Sequence, residues 1–294
     1  VALERNHWNG SVEARVVLRS LCPARAGAVE DLAPEPELSA AVERELAGDP
    51  AAWWPRPASV DADGVTEIRA SKPRAVSDRR GEGLAGLAGD LLTSGESVLV
   101  VVADVARRRA ALEAMVAGMA PQALAVAGWE ALGLDPTLAA GFDHLVAFDP
   151  PPVADGLELL HHAGTTTHLA WGAGERAFAL ASWRDRLVLR PALIDLWRAL
   201  DSAGELTGTS LETALRGAGQ RPRDGHHCGR LVRVLCELDL ASWDVAAGPR
   251  LLRGRADRTD LSNSHAYRAY ATRFAAAERH LSGTERDVPR AAAV

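Results

Sequence analysis

The sequence predicts an α/β protein: a small doubly wound parallel domain, preceded by a β-hairpin and followed by a helical section in winged-helix order. Three observations carry this. Between 81 and 178, apolar strand-like runs alternate with helices of about 10 residues, the pattern of a parallel sheet covered by helices. Asn9-Gly10 separates two alternating runs at the front, a strong hairpin signal. Between 179 and 256, three amphipathic segments are followed by two short runs around Gly248-Pro249.

In order along the chain, 1–21 reads as the hairpin: an extended run to Trp8, the turn, then Val12, Ala14, Val16 and Leu18 alternating with Glu13, Arg15, Val17 and Arg19. A lone hairpin is unstable in water, so its remaining strands are expected elsewhere. Residues 22–80 are rich in Pro, Ala and acid and read as a linker with one helix, from Pro36 to Gly48 with Leu38, Val42 and Leu46 on one face.

The doubly wound segment opens with a helix after Gly81, then a buried strand from Val98 to Ala103 and a helix capped by Asp104. A short run from Ala123 to Ala127, a helix near Asp135 to Gly141, a strand from His144 to Phe148, a helix from Val153 to His162 and a strand from Thr166 to Ala170 complete it. In the helical section, helices are expected from Arg190 to Ser202, Ser210 to Arg216 and Gly225 to Leu240, then strands from Ala241 to Val245 and Arg250 to Arg253. Residues 257–294 hold a last helix, His265 to Leu281, with Tyr267, Tyr270 and Phe274 on one stripe.

The chain has 294 residues, 47% of them hydrophobic, and a formal net charge of −6, so it can bury cores and its overall field does not advertise nucleic acid. Its basic residues are almost all Arg, Lys72 being the one lysine, as a GC-rich coding sequence would produce. Three cysteines without diagnostic spacing fit free thiols in a reducing compartment. No apolar run approaches the roughly 18 residues of a membrane span and no signal peptide is evident, so a cytoplasmic protein without a membrane partner is expected. The chain opens on Val1 directly in strand-like text, as a GTG start or a fragment would, and the fragment is the favoured expectation.

Catalytic motifs fail on context. Gly81-Glu-Gly83-Leu-Ala-Gly86 spells a dinucleotide fingerprint but follows polar text rather than a strand. His226, His227, Cys228 and Cys236 lack zinc-ligand spacing and read as a helix start with a core thiol. Asp104 and Asp149 stand at strand ends, where an α/β enzyme would keep a carboxylate, but capping and turn formation account for both. No cofactor is expected in this chain. Eight tryptophans are present, and Trp8, beside the hairpin turn with Arg5 and Arg15, is placed to stack on a base. Arg221, Arg223 and Arg230, at the start of the third helix of the winged-helix order, are candidates for phosphate contact, against the alternative of a solvated face beside a protein partner.

Taken together, LERNHWNGSVEARVVLRSL, HLVAFDPPP, LRPALIDLWRAL and GRLVRVLCELDLASWD resemble the C-terminal part of bacterial RecJ, the single-strand-specific 5′ to 3′ DNA exonuclease of the DHH family. The first stretch is similar to the closing strands of that family's OB domain, and the others to its additional C-terminal domain. The resemblance implies an OB remnant gripping single-stranded DNA and a module for a partner, such as a helicase of the HerA type. It also implies a nuclease core using Mn²⁺ or Mg²⁺ that this chain lacks. Asp61-Ala-Asp63-Gly64-Val-Thr66 looks like the first metal motif of that core but stands in linker text with no DHH triplet following. The alternative is a free-standing winged-helix DNA-binding regulator with an α/β sensor domain.

Overall fold

The computed structural model describes residues 2–8, 11–17, 29–54, 75–81, 84–117, 124–160, 166–219, 221–255 and 259–283. At the front, β1 (Ala2–Trp8) and β2 (Ser11–Val17) pair antiparallel, Trp8 opposite Ser11 and Arg5 opposite Ala14. The Asn9-Gly10 turn itself lies outside the described residues, as does the Asp61 to Thr66 motif.

The centre of the fold is a six-stranded, wholly parallel sheet in the order β3-β6-β5-β7-β8-β4. Its interior strands are β5 (Val98–Val102), β6 (Leu124–Gly128), β7 (His144–Ala147) and β8 (Thr166–Leu169). The predicted α/β class and these four strands are therefore present. The edges come from text read as linker: β3 (Val29–Asp31) pairs with β6, and β4 (Ala75–Asp78) with β8. That expectation is corrected here. Strands of three and four residues on a sheet edge present no buried run or sustained alternation, so periodicity does not reveal them.

Alternation along β5 shows that both faces are covered. Val98, Val100 and Val102 join a core with Leu87 and Leu92 of α2 (Leu84–Ser94) and Leu112 and Val116 of α3 (Val105–Val116). Leu99, Val101 and Ala103 face a larger core that continues without a break into the helical section. A strand buried on both faces reads as a continuous apolar run, which is why VLVVV was recognisable. The expected helix near Asp135 is a short helix α4 (Trp129–Leu134) followed by a 3₁₀ turn, Pro136–Ala139, capped by Asp135. The stretch after Pro152 is likewise a 3₁₀ segment, Ala154–Leu160.

Helix α1 (Leu38–Ala47) is where the Leu38, Val42 and Leu46 stripe predicts it. Helix α5 (Ala173–Leu187) crosses the expected boundary at 178/179. Beyond it come α6 (Arg190–Ala203), β9 (Glu205–Thr207), α7 (Gly208–Arg216), α8 (Gly225–Glu237), β10 (Ala241–Asp244), β11 (Arg250–Arg253) and α9 (His265–Ser282). The last three strands form an antiparallel sheet in the order β10-β11-β9. Gly204, at φ +75, ends α6 in the left-handed conformation that favours glycine at a helix C-terminus. Among the described residues, no helix is long and apolar enough to cross a membrane.

Helix α8 is the centre of the helical core. Its Gly225 and Gly229 face α1 so closely that an added Cβ would stand 2.6 Å from Ala41 Cβ and 2.7 Å from Glu45 Cβ respectively. Glycines four apart on one helix face let the two backbones approach. Val42 and Ala41 of α1 are thereby buried completely.

Candidate functional site

In an open parallel sheet, ligands gather outside the carboxyl ends of the strands, where the strand order reverses. Here the chain runs from β5 to β6 on one side, then returns past β5 to β7, so the reversal lies between β5 and β7. That point is filled from within. Asp149, following β7, has no solvent exposure; it accepts from Ala103 N at 2.9 Å and from Arg108 through both Nε and Nη2. The Arg108 guanidinium also lies over the Phe178 ring at 3.7 Å and the Phe148 ring at 4.5 Å. Burial pushes the Asp149 carboxyl above its usual range, against the hydrogen bonds from Arg108 and Ala103 N.

The open space lies on the other side of β5. A groove of about 1830 Å³ runs along the carboxyl ends of β3, β5 and β6 and is closed by α1, the end of α5 and the loop leading into α8. Small-molecule sites occupy roughly 300–1,000 Å³, so this groove is larger than an ordinary small-molecule pocket. Charged side chains line its floor, and most are joined to one another. Asp104 caps α3 through Arg107 N at 3.0 Å and stands 3.6 Å from Arg186. Arg186 donates to Asp224 at 2.9 Å and to Ala103 O at 2.6 Å. Glu35 accepts from Gly225 N and from Arg216, both at 2.8 Å. Arg109 donates to Asp31 at 2.9 Å.

Behind this floor lies a buried ionic joint between sheet and helices. Arg230 of α8 donates to Glu130 of α4, and its Nε stands 3.9 Å from Glu45 of α1, which also accepts from the Tyr270 hydroxyl of α9 at 2.6 Å. Burial alone would raise the Glu130 carboxyl, but Arg230 and Arg186 together hold it well below the usual range. Arg273 of α9 lies over the Trp53 ring at 4.7 Å and donates to Pro50 O at 3.3 Å; burial, with Arg230 nearby, brings its guanidinium down to about 10.

The candidate nucleic-acid residues meet different fates. Arg230 is corrected: at 2% exposure and engaged with Glu130, it faces the interior and has no surface to offer a phosphate. Its position in a basic run suggested otherwise, but α1 and α4 cover that side of α8. Arg223 folds back onto the end of α7, donating to Leu215 O at 3.0 Å and Ala214 O at 3.5 Å, so it ties off carbonyls that the helix leaves unpaired. Arg221 is exposed on the groove wall. The side chains of Arg5, Trp8 and Arg15 lie outside the described residues. The groove therefore gathers Arg221 and Arg223 but not Arg230.

The residues that sequence reading missed are Glu130, Arg186, Glu45 and Glu35, whose partners lie far away along the chain. His227 is buried beside Asp224, which caps its backbone N at 2.7 Å, and burial lowers its imidazole to about 4. Cys228 is a buried thiol pushed up to about 12 by burial, as the core-thiol reading expects. Among the described residues, no group of three or more His, Cys, Asp or Glu side chains is placed to hold a metal ion. Comparisons with protein-family models, curated proteins and solved structures return no match to this chain.

Proposed function

We propose that this chain is the DNA- and partner-binding C-terminal region of a RecJ-like single-strand exonuclease acting in DNA repair and recombination, and that it is not catalytic by itself. The observation that carries the binding reading is the state of the strand-end carboxylates. Asp104, Glu130 and Asp149 stand where an α/β enzyme keeps its acids, yet each is engaged by an arginine or a backbone N–H that joins the parts of the fold. Chemistry would need a carboxylate free to meet substrate. The Mn²⁺ or Mg²⁺ that the family resemblance implies belongs to a nuclease core outside this chain.

The order α6, β9, α7, α8, β10, β11, with β9 beside β11, supports a winged-helix reading of the helical section. In that order α8 occupies the position of a recognition helix, but α1 lies against it and most of its residues are buried. This favours a winged helix that serves as a structural and protein-docking element over a regulator that reads duplex DNA through α8. Single-strand contact is assigned to the hairpin, through Arg5, Trp8 and Arg15, and to Arg221; a repair helicase is the partner class that the resemblance offers.

Fluorescence anisotropy with a 5′-labelled single strand of about 20 nucleotides and the matching duplex tests this reading. The expected result is salt-sensitive binding that prefers the single strand and is weakened by Trp8→Ala and by Arg221→Glu, with the strand left intact in Mn²⁺. Preference for the duplex would support the regulator instead, and chelator-sensitive degradation of the strand would overturn the non-catalytic reading.

A further inference from the structure

Away from the groove, three titratable side chains form a line on the α2 side of the sheet. His144 at the start of β7 and His168 of β8 are diagonal neighbours, because His144 is in register with Thr166 and Val146 with His168. His144 Nδ1 and His168 Nε2 stand 3.1 Å apart, and His144 Nε2 stands 2.7 Å from Glu96 Oε2. His168 is 7% exposed, and its Nδ1 is buried with no hydrogen-bond partner among the described residues.

One arrangement of hydrogens satisfies these contacts together. The Glu96 carboxylate accepts, so His144 carries its hydrogen on Nε2 and presents a lone pair at Nδ1. His168 must then donate from Nε2, which leaves its Nδ1 bare. One hydrogen on each ring satisfies both contacts, and a second would find no acceptor among the described residues. A proton on His144 Nδ1 would set two N–H groups against each other across 3.1 Å. Moving the His168 hydrogen to Nδ1 would relieve that clash only by burying an unpartnered N–H.

We infer that Glu96, His144 and His168 form an acid-sensitive clasp for the β8–β4 edge of the sheet, closed with one proton on each ring and opened by one more. The edge depends on this site because, among the described strands, β4 pairs with β8 alone and sets Ser77 opposite His168. The surrounding charges fit. Burial, then the neighbouring His144 and Arg79 just after β4, oppose a positive His168 and together lower its imidazole to about 4. Asp143, ahead of β7, accepts from Ser97 N at 2.9 Å and from Ser97 Oγ at 2.8 Å. Asp78 and Arg80, at the end of β4, are ion-paired at 2.6 Å.

Two measurements on the full chain test the clasp. Imidazole ¹⁵N spectra at about pH 7.5 should show His144 protonated at Nε2 and His168 bare at Nδ1; the opposite tautomers would overturn it. Amide exchange in 75–78 and 166–169, corrected for the intrinsic pH dependence, should rise about tenfold between pH 7.5 and 5, well beyond the change in β5. His144→Gln, which can still accept from His168 but carries no charge, should reduce that rise to the part that burial of His168 alone produces. An edge that exchanges alike at both pH values, or equally in His144→Gln and the parent chain, would refute the proposal. Should that variant fail to fold, the ¹⁵N tautomers of the parent chain still decide it.

Discussion

Arg230 of α8 donates to Glu130 of α4, a hundred residues away along the chain, and its guanidinium is buried between α4 and α1. Glu45 and the Tyr270 hydroxyl close the other side. A buried pair gains little over well-packed apolar residues, but half of one is costly, because the remaining charge keeps its burial and loses its partner. The pair is therefore where the helical section is registered on the sheet.

Arg230→Ala should destabilise the chain by about 1.5–3 kcal/mol, since Glu130 loses its charged hydrogen bond and keeps only Arg186, 3.7 Å away. Pairing it with Glu130→Gln should recover part of that loss. Urea unfolding of the two single variants and the double variant measures the coupling; additive losses would show that the two groups do not act as a pair.

Gly229→Ala should cost about 1–3 kcal/mol, because the added Cβ would meet Glu45 Cβ at 2.7 Å and the α1 backbone at 3.2 Å. Gly174→Ala, with open space around its Cβ, should be neutral or slightly stabilising in α5. Thermal unfolding of the two variants side by side checks the contrast.

His227 gives a pH dependence with a definite sign. Its folded imidazole is held at about 4, below the ordinary 6.5, so folding favours the neutral ring. Its contribution is fully present above pH 6.5 and is lost as pH falls through 4. Stability should fall across that window, and His227→Phe should flatten the decline while leaving the plateau above pH 7 within about 1–2 kcal/mol of the parent. Denaturant midpoints measured across the window provide the check.

Arg221→Glu should weaken single-strand binding and reduce the slope of log affinity against log salt by about one, as for the loss of one phosphate contact. Arg223→Ala should instead lower stability by about 1–2 kcal/mol, because its guanidinium caps the end of α7. Anisotropy titrations at several salt concentrations, with unfolding curves for both variants, separate the two roles.

Most of the parallel sheet could be read directly. The strand text VLVVV and HLVA is apolar at successive positions because β5 and β7 are covered on both faces, and that property is local. Strands β3 and β4 could not be read, because each is short and becomes a strand only by meeting β6 or β8. The start of α5 was hidden in Ala-Gly-Glu-Arg-Ala, which has no marked apolar stripe ahead of Phe178. Of the candidate site, Arg221 stands on the groove wall, whereas Arg230 turned inward.

The sequence by itself determined the interior strands of the parallel sheet, the Asp104 cap of α3 and the core role of Cys228, because periodicity, capping and burial preference act over a few residues. Only the tertiary structure decided the strand order, the covering of α8 by α1 and which arginines face solvent. A guanidinium in a helix carries no mark of its partner: Arg221 and Arg230 are the same residue type in the same basic run. They differ because Glu130 and Glu45, remote along the chain, are brought against one of them when the sheet and the helices close over a common core.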